Sequence, residues 1–208
     1  MPLETLILFA PACFALNMAF GPNNLLSVTI GARLGLNAAL LAATGRLIAF
    51  AIMIAVTALG LGALLTVSEL AFTAVKFLGA AYLIWLGVKI LRAGTKLVLE
   101  RPELGRNNVR SLFRQEFLVA IGNPKAILIF TAFFPQFVAP EHYLRSFLVL
   151  GAIFLMLETV AIGLYAYAGT RLSGMMRNAR SLRWINRISG STMIGFGILL
   201  ALARRPAS

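Results

Sequence analysis

The sequence predicts an all-α polytopic membrane protein: six transmembrane helices arranged as two inverted three-helix repeats, with helices 1 and 4 broken. Three observations predict it. Of the 208 residues, 60% are hydrophobic and only 12% are charged, and mean hydropathy is +0.87, more apolar surface than a soluble core absorbs. The apolar residues form continuous stretches of roughly 18 or more, the length that crosses a bilayer. Two of those stretches are interrupted by Gly, Pro and Asn, at "FGPNN" from Phe20 and "IGNPKA" from Ile121. Helices are expected rather than barrel strands because the runs lack polar alternation.

In order along the chain, the expected spans are 3–32, 38–65, 70–91, 112–138, 144–168 and 184–203. At 1.5 Å per residue the first and fourth reach about 40 Å or more, against a hydrocarbon core of about 30 Å. Each contains one interruption and is therefore expected to be two half-helices. Basic residues concentrate in the 1–2, 3–4 and 5–6 loops, for example Arg33, Lys96, Arg101, Arg106 and Arg177, so these loops are expected in the cytoplasm and both termini outside. Arg204 and Arg205 run against that bias. The stretch "LERPELGRNN" divides the chain into a first repeat (1–99), a cytoplasmic linker (100–111) and a second repeat (112–208). "KFLGAAYLI" from Lys76 and "RISGSTMIG" from Arg187 share a basic residue followed by a small-residue pair. Three helices per half would place the halves upside down relative to each other, a transporter design.

The residue inventory excludes several chemistries. Cys13 is the only cysteine, His142 the only histidine, and there is no aspartate, so disulfides, a Cys/His metal site and a Ser-His-Asp triad are ruled out. No catalytic group, metal or cofactor is expected. The net charge of +12 comes from residues flanking apolar runs, which implies contact with membrane lipids rather than nucleic acid. The first apolar run has no basic residue before it and no small-residue cleavage site, so a retained helix is expected rather than a signal peptide.

Asn123 followed by Pro124 reads as an N-cap and first helical residue, and Gly21 with Pro22 gives the same start in the first half. Helix N-termini at such depth need protein or a wet cavity beside them, and they favour an anion. Asn23 and Asn24 add neutral donors and acceptors, and Lys125 adds a full charge. One proline kink is ordinarily a packing device; two at matching positions, both rich in Asn, point to a site for a carboxylate. Glu158 is the only carboxylate expected deep within a span, where charges usually mark function. It can bind a substrate ammonium, pair with a basic residue or carry a coupled proton. Arg46 lies eight to ten residues into span 2, where its stem either snorkels to headgroups or joins the site. Asn17 and Tyr82 are further pocket candidates. Glycines through the spans signal close helix packing and permit a homodimer.

The segments "GPNN", "GARLGLNAALLAATG", "KFLGAAYLIWLGVKILRAG" and "NPKAILIFTAFFPQFV" resemble the LysE/RhtB superfamily of bacterial amino-acid exporters, over most of the chain. The resemblance implies a six-helix inner-membrane exporter of amino acids or close derivatives, working by exchange for protons. By motif it carries Gly21, Pro22, Asn23, Asn123, Pro124 and Lys125 as site positions. Phe20 stands where the family usually has the first proline of Pro-Gly-Pro. The residues support a non-enzymatic secondary transporter; a channel or a non-transporting membrane scaffold is the alternative. An intramembrane enzyme would need a nucleophile and base at one depth, and no such pair is suggested.

Overall fold

A computed structural model describes residues 3–67, 69–92, 108–138, 140–171 and 179–202, and every regular element among them is a helix. In chain order these are α1 (Leu3–Met18), α2 (Pro22–Leu34), α3 (Leu36–Val67), α4 (Glu69–Arg92), α5 (Val109–Ile121), α6 (Pro124–Leu128), α7 (Tyr143–Arg171) and α8 (Ala179–Leu202). Most of the 100–111 linker, the Arg204–Arg205 pair, and the side chains of Lys76, Tyr82 and Pro124 lie outside the described residues.

Both expected breaks are present. α1 and α2 meet at 62°, and α5 meets the segment that follows it at 53°. Pro22 starts α2 behind an extended Gly21 (φ −160°, ψ −177°), where its missing N–H costs no ladder bond. Pro124 starts α6 behind Asn123, whose side chain accepts from the Lys125 N–H at 3.0 Å. Two helices, α3 over Leu36–Gly60 and α7, are each long and apolar enough to cross a membrane, and counting each bent pair as one span raises the number to four.

The fourth span does not continue as a regular helix to 138. α6 gives way to a π turn at Ile129–Phe133 and a 3-10 turn at Phe134–Phe137. Pro135 has no N–H to donate and its ring crowds the preceding turn, so the α ladder cannot pass through it. Side chains take up part of the backbone capacity: the Thr131 hydroxyl donates to the Ile127 carbonyl at 2.8 Å and the Gln136 amide to Ala132 at 3.3 Å.

The helices enclose two apolar clusters. One is built from phenylalanines, among them Phe9, Phe50, Phe130, Phe134, Phe147 and Phe154. The other contains Leu26, Ile30, Ala39, Ala42, Leu112 and Ala166. Along each connecting helix a polar residue falls between them: Arg46 between Ala42 and Ala49 on α3, Glu116 between Leu112 and Ala120 on α5, Glu158 between Phe154 and Ala166 on α7. A buried polar layer thus separates two dry ones.

Close backbone approach holds two seams. On α2 and α7, a Cβ on Gly31 would meet the Ala166 carbonyl, and one on Gly169 would meet Val28. On α4 and α8, Gly87 lies against the Gly190 carbonyl and Gly197 against that of Ala80. Gly190 follows Ala80, and Gly197 follows Gly87, by the same 110 residues, so the contact pattern maps onto itself. That register differs by one from the Lys76–Arg187 match of the sequence. Gly31→Val should destabilise the fold by about 1–3 kcal/mol through backbone displacement. Gly163→Ala, whose added Cβ has no neighbour within 4 Å, should be near neutral; thermal unfolding in detergent distinguishes the two.

Candidate functional site

The polar layer is organised by Arg46, which is fully buried rather than snorkelling. Its Nε and Nη2 donate to the two Glu116 carboxylate oxygens, each at 2.9 Å, the bidentate geometry that guanidinium and carboxylate planes favour. Nη1 donates to Glu158 Oε1 at 3.1 Å and reaches Asn24 Oδ1 at 3.4 Å. Nη2 also donates to the Ser27 hydroxyl at 2.7 Å and to the Asn23 carbonyl. All five guanidinium protons are therefore engaged, and one side chain on α3 ties together α2, α5 and α7.

The first break leaves the last carbonyls of α1 without helical partners, and three side chains satisfy them. Lys125 Nζ donates to Leu16 at 3.1 Å and Ala19 at 2.9 Å. The Asn24 amide donates to Asn17 at 2.8 Å and Ala19 at 3.0 Å. The Tyr165 hydroxyl donates to Met18 at 2.6 Å. A cation at the C-terminal end of α1 also complements the helix dipole. Two of the three Lys125 protons thus hold the end of α1. Phe20 packs edge-on against Tyr165 with ring centroids 5.8 Å apart.

The second break is tied to the first through asparagines. Asn123 Oδ1 is occupied by the Lys125 N–H, which turns its Nδ2 toward Asn23 Oδ1 at 2.6 Å. Asn23 Nδ2 faces the Glu116 carboxylate without reaching hydrogen-bond distance, and Asn17 Oδ1 finds no donor, although both residues are buried. Unmatched polar atoms at this depth are costly.

Both residues border one small cavity. Asn24, Asn123, Lys125 and Glu158 complete its polar wall, and Phe50, Ala126, Ile129 and Phe154 form its apolar wall. Its volume of about 10 Å³ is water-sized, against at least about 300 Å³ for a typical small-molecule site, so it is too small for an amino acid as it stands. Six of the sequence candidates, Asn17, Asn23, Asn24, Asn123, Lys125 and Glu158, meet at the cavity. Gly21 and Pro22 shape the break without lining it, and Arg46 anchors the layer from beside it. Among the described residues no cluster suited to a metal ion occurs.

Glu116 was missed. Its 0% exposure corrects the expectation that Glu158 is the only deep carboxylate. Near Arg110 and Arg114 it resembles an interfacial charge. The signal that identifies it is its place on the buried Leu112–Glu116–Ala120 stripe, four residues apart on one helix face.

The LysE type translocator profile matches residues 14–204. The chain belongs to the LysE type translocator family. Among its relatives, a membrane protein of Pseudomonas aeruginosa is 35% identical over 191 residues, covering 88% of each chain. The homoserine/homoserine lactone efflux protein of Salmonella typhimurium is 32% identical over 202 residues, 97% of this chain and 93% of that protein. The leucine efflux protein of Enterobacter sp. is 27% identical over 93% of each. No solved structure matches. Membership makes the chain a multi-pass membrane transporter rather than an enzyme, and places the buried polar layer inside a translocator.

Arg46→Met should strand Glu116 and Glu158 as unpaired buried carboxylates and cost about 3–5 kcal/mol. The expected outcome is a large loss of monodisperse protein by fluorescence-detected size exclusion. Adding Glu116→Gln and Glu158→Gln should recover part of that loss.

Proposed function

We propose that this chain is a secondary transporter of the bacterial inner membrane that exports small amino acids or close derivatives from the cytoplasm, in exchange for protons. The observation that carries the proposal is the cavity at the junction of the two helix breaks. It presents an unmatched donor, Asn23 Nδ2, and an unmatched acceptor, Asn17 Oδ1. An amino acid supplies the complement of both. Its carboxylate would sit on Asn23 Nδ2 and the third Lys125 proton, near the Gly21–Pro22 and Asn123–Pro124 breaks, and its ammonium on Asn17 Oδ1 and Glu158. The homoserine and leucine efflux relatives support this substrate class.

The cavity must enlarge to admit a substrate, which suits alternating access of two inverted three-helix repeats, 1–99 and 112–208, with six spans and periplasmic termini. The self-mapping contacts between α4 and α8 support the repeat. Glu158 borders the cavity and donates no bond of its own while ionised; protonation there would release one arm of Arg46, linking proton movement to separation of α3 and α7. A channel fits less well, because dry apolar clusters flank the polar layer on both sides.

Inside-out vesicles carrying the protein should take up labelled leucine or homoserine saturably, with the rate raised by a pH gradient; no saturable uptake of any amino acid would refute the proposal. Asn23→Ala and Lys125→Ala should each cut uptake by roughly tenfold or more, the scale of a lost charged or polar substrate contact. Both variants should also lower the melting temperature, Lys125→Ala because α1 loses its cap and Asn23→Ala because Asn123 Nδ2 loses its acceptor, so uptake is compared per folded protein.

A further inference from the structure

We infer that the site is selective for amino acids of zero net charge with an uncharged side chain, and that Glu116 is a positioning residue that sets this selectivity. The inference rests on the transport reading above and deepens it. It follows from the sum of charges in the polar layer. Arg46 and Lys125 contribute two positive charges. Glu116 and Glu158 contribute two negative ones, and all four residues are at least nine-tenths buried. Arg46 bridges both carboxylates directly, so the layer is neutral as it stands.

A zwitterion enters a neutral layer without leaving net charge behind. Its carboxylate and ammonium meet one unmatched donor and one unmatched acceptor, Asn23 Nδ2 and Asn17 Oδ1. A lysine or glutamate side chain adds a third charged group. The remaining wall of the cavity, Phe50, Ile129, Ala126 and Phe154, offers it no counter-charge. An unmatched charge at membrane depth lowers occupancy by far more than tenfold even on the mildest insertion scales.

Glu116 does not line the cavity. It acts through Arg46, holding the Nε–Nη2 edge of the guanidinium so that Glu158 meets only Nη1. Removing its charge leaves the layer with one excess positive charge beside the cavity, and that surplus favours an anionic guest.

The test is competition against labelled leucine uptake in inside-out vesicles, using two pairs of near-equal shape that differ by one charge: norleucine with lysine, and glutamine with glutamate. Norleucine and glutamine should each compete at least roughly tenfold better than the charged partner. Lysine or glutamate competing as well as its neutral counterpart overturns the inference while leaving the transport reading intact. Absence of leucine, homoserine and norleucine uptake overturns the transport reading itself. In Glu116→Gln the glutamate-to-glutamine ratio should rise at least several-fold, with the norleucine-to-lysine ratio unchanged or higher. An unaltered glutamate-to-glutamine ratio in folded Glu116→Gln overturns the role of Glu116. Should that variant not fold, Glu116→Gln combined with Arg46→Gln restores zero layer charge change beyond the pair and should return the wild-type glutamate-to-glutamine ratio, and a raised ratio there would overturn the charge-sum argument.

Discussion

Everything in the membrane-depth layer depends on the guanidinium of Arg46. A lone cation in a dry interior is expensive, and a buried ion pair is not by itself a source of stability. What makes the arrangement tenable is completeness: every guanidinium proton has an acceptor, drawn from a carboxylate on α5, a carboxylate on α7, and the amide, hydroxyl and carbonyl groups of α2. Because these acceptors come from segments far apart in sequence, Arg46 also fixes how the helices are placed around the cavity. A half-satisfied network would cost more than an apolar core.

The two helix breaks depend on the same economy of hydrogen bonds. Interrupting a helix where water is scarce exposes carbonyls at one side and amides at the other. In the first half the exposed carbonyls are taken by Lys125, Asn24 and Tyr165; in the second, Asn123 caps its own helix and then reaches Asn23. The breaks therefore complete each other: the second supplies the lysine that the first needs. Two polar atoms, on Asn17 and Asn23, are left over at their junction.

Much of this was legible in the sequence because the signals are local. Gly21–Pro22 and Asn123–Pro124 announce helix starts through backbone chemistry alone, and both starts are where those residues place them. Glu158 stood out as a carboxylate amid apolar neighbours. The pairings were not legible, since Arg46 meets Glu116 and Glu158 across 70 and 112 residues, and no local pattern encodes such contacts. Glu116 hid among interfacial arginines, and the carbonyls that Lys125 holds lie 106 and 109 residues away from it. The irregular turns after α6 were not anticipated, although Pro135 lies inside the expected 112–138 span.

The two walls of the cavity are built differently. The polar wall is locked into helix ends and main-chain carbonyls, so a change at Asn24 or Lys125 disturbs the scaffold. The apolar wall, Phe50, Ile129, Ala126 and Phe154, belongs to the phenylalanine cluster and contributes no side-chain hydrogen bond to the breaks. On the proposed reading, cargo preference can drift through exchanges among these hydrocarbon side chains while the hydrogen-bonded wall that holds the two breaks stays constant, a division of labour by which one architecture could diversify its clientele.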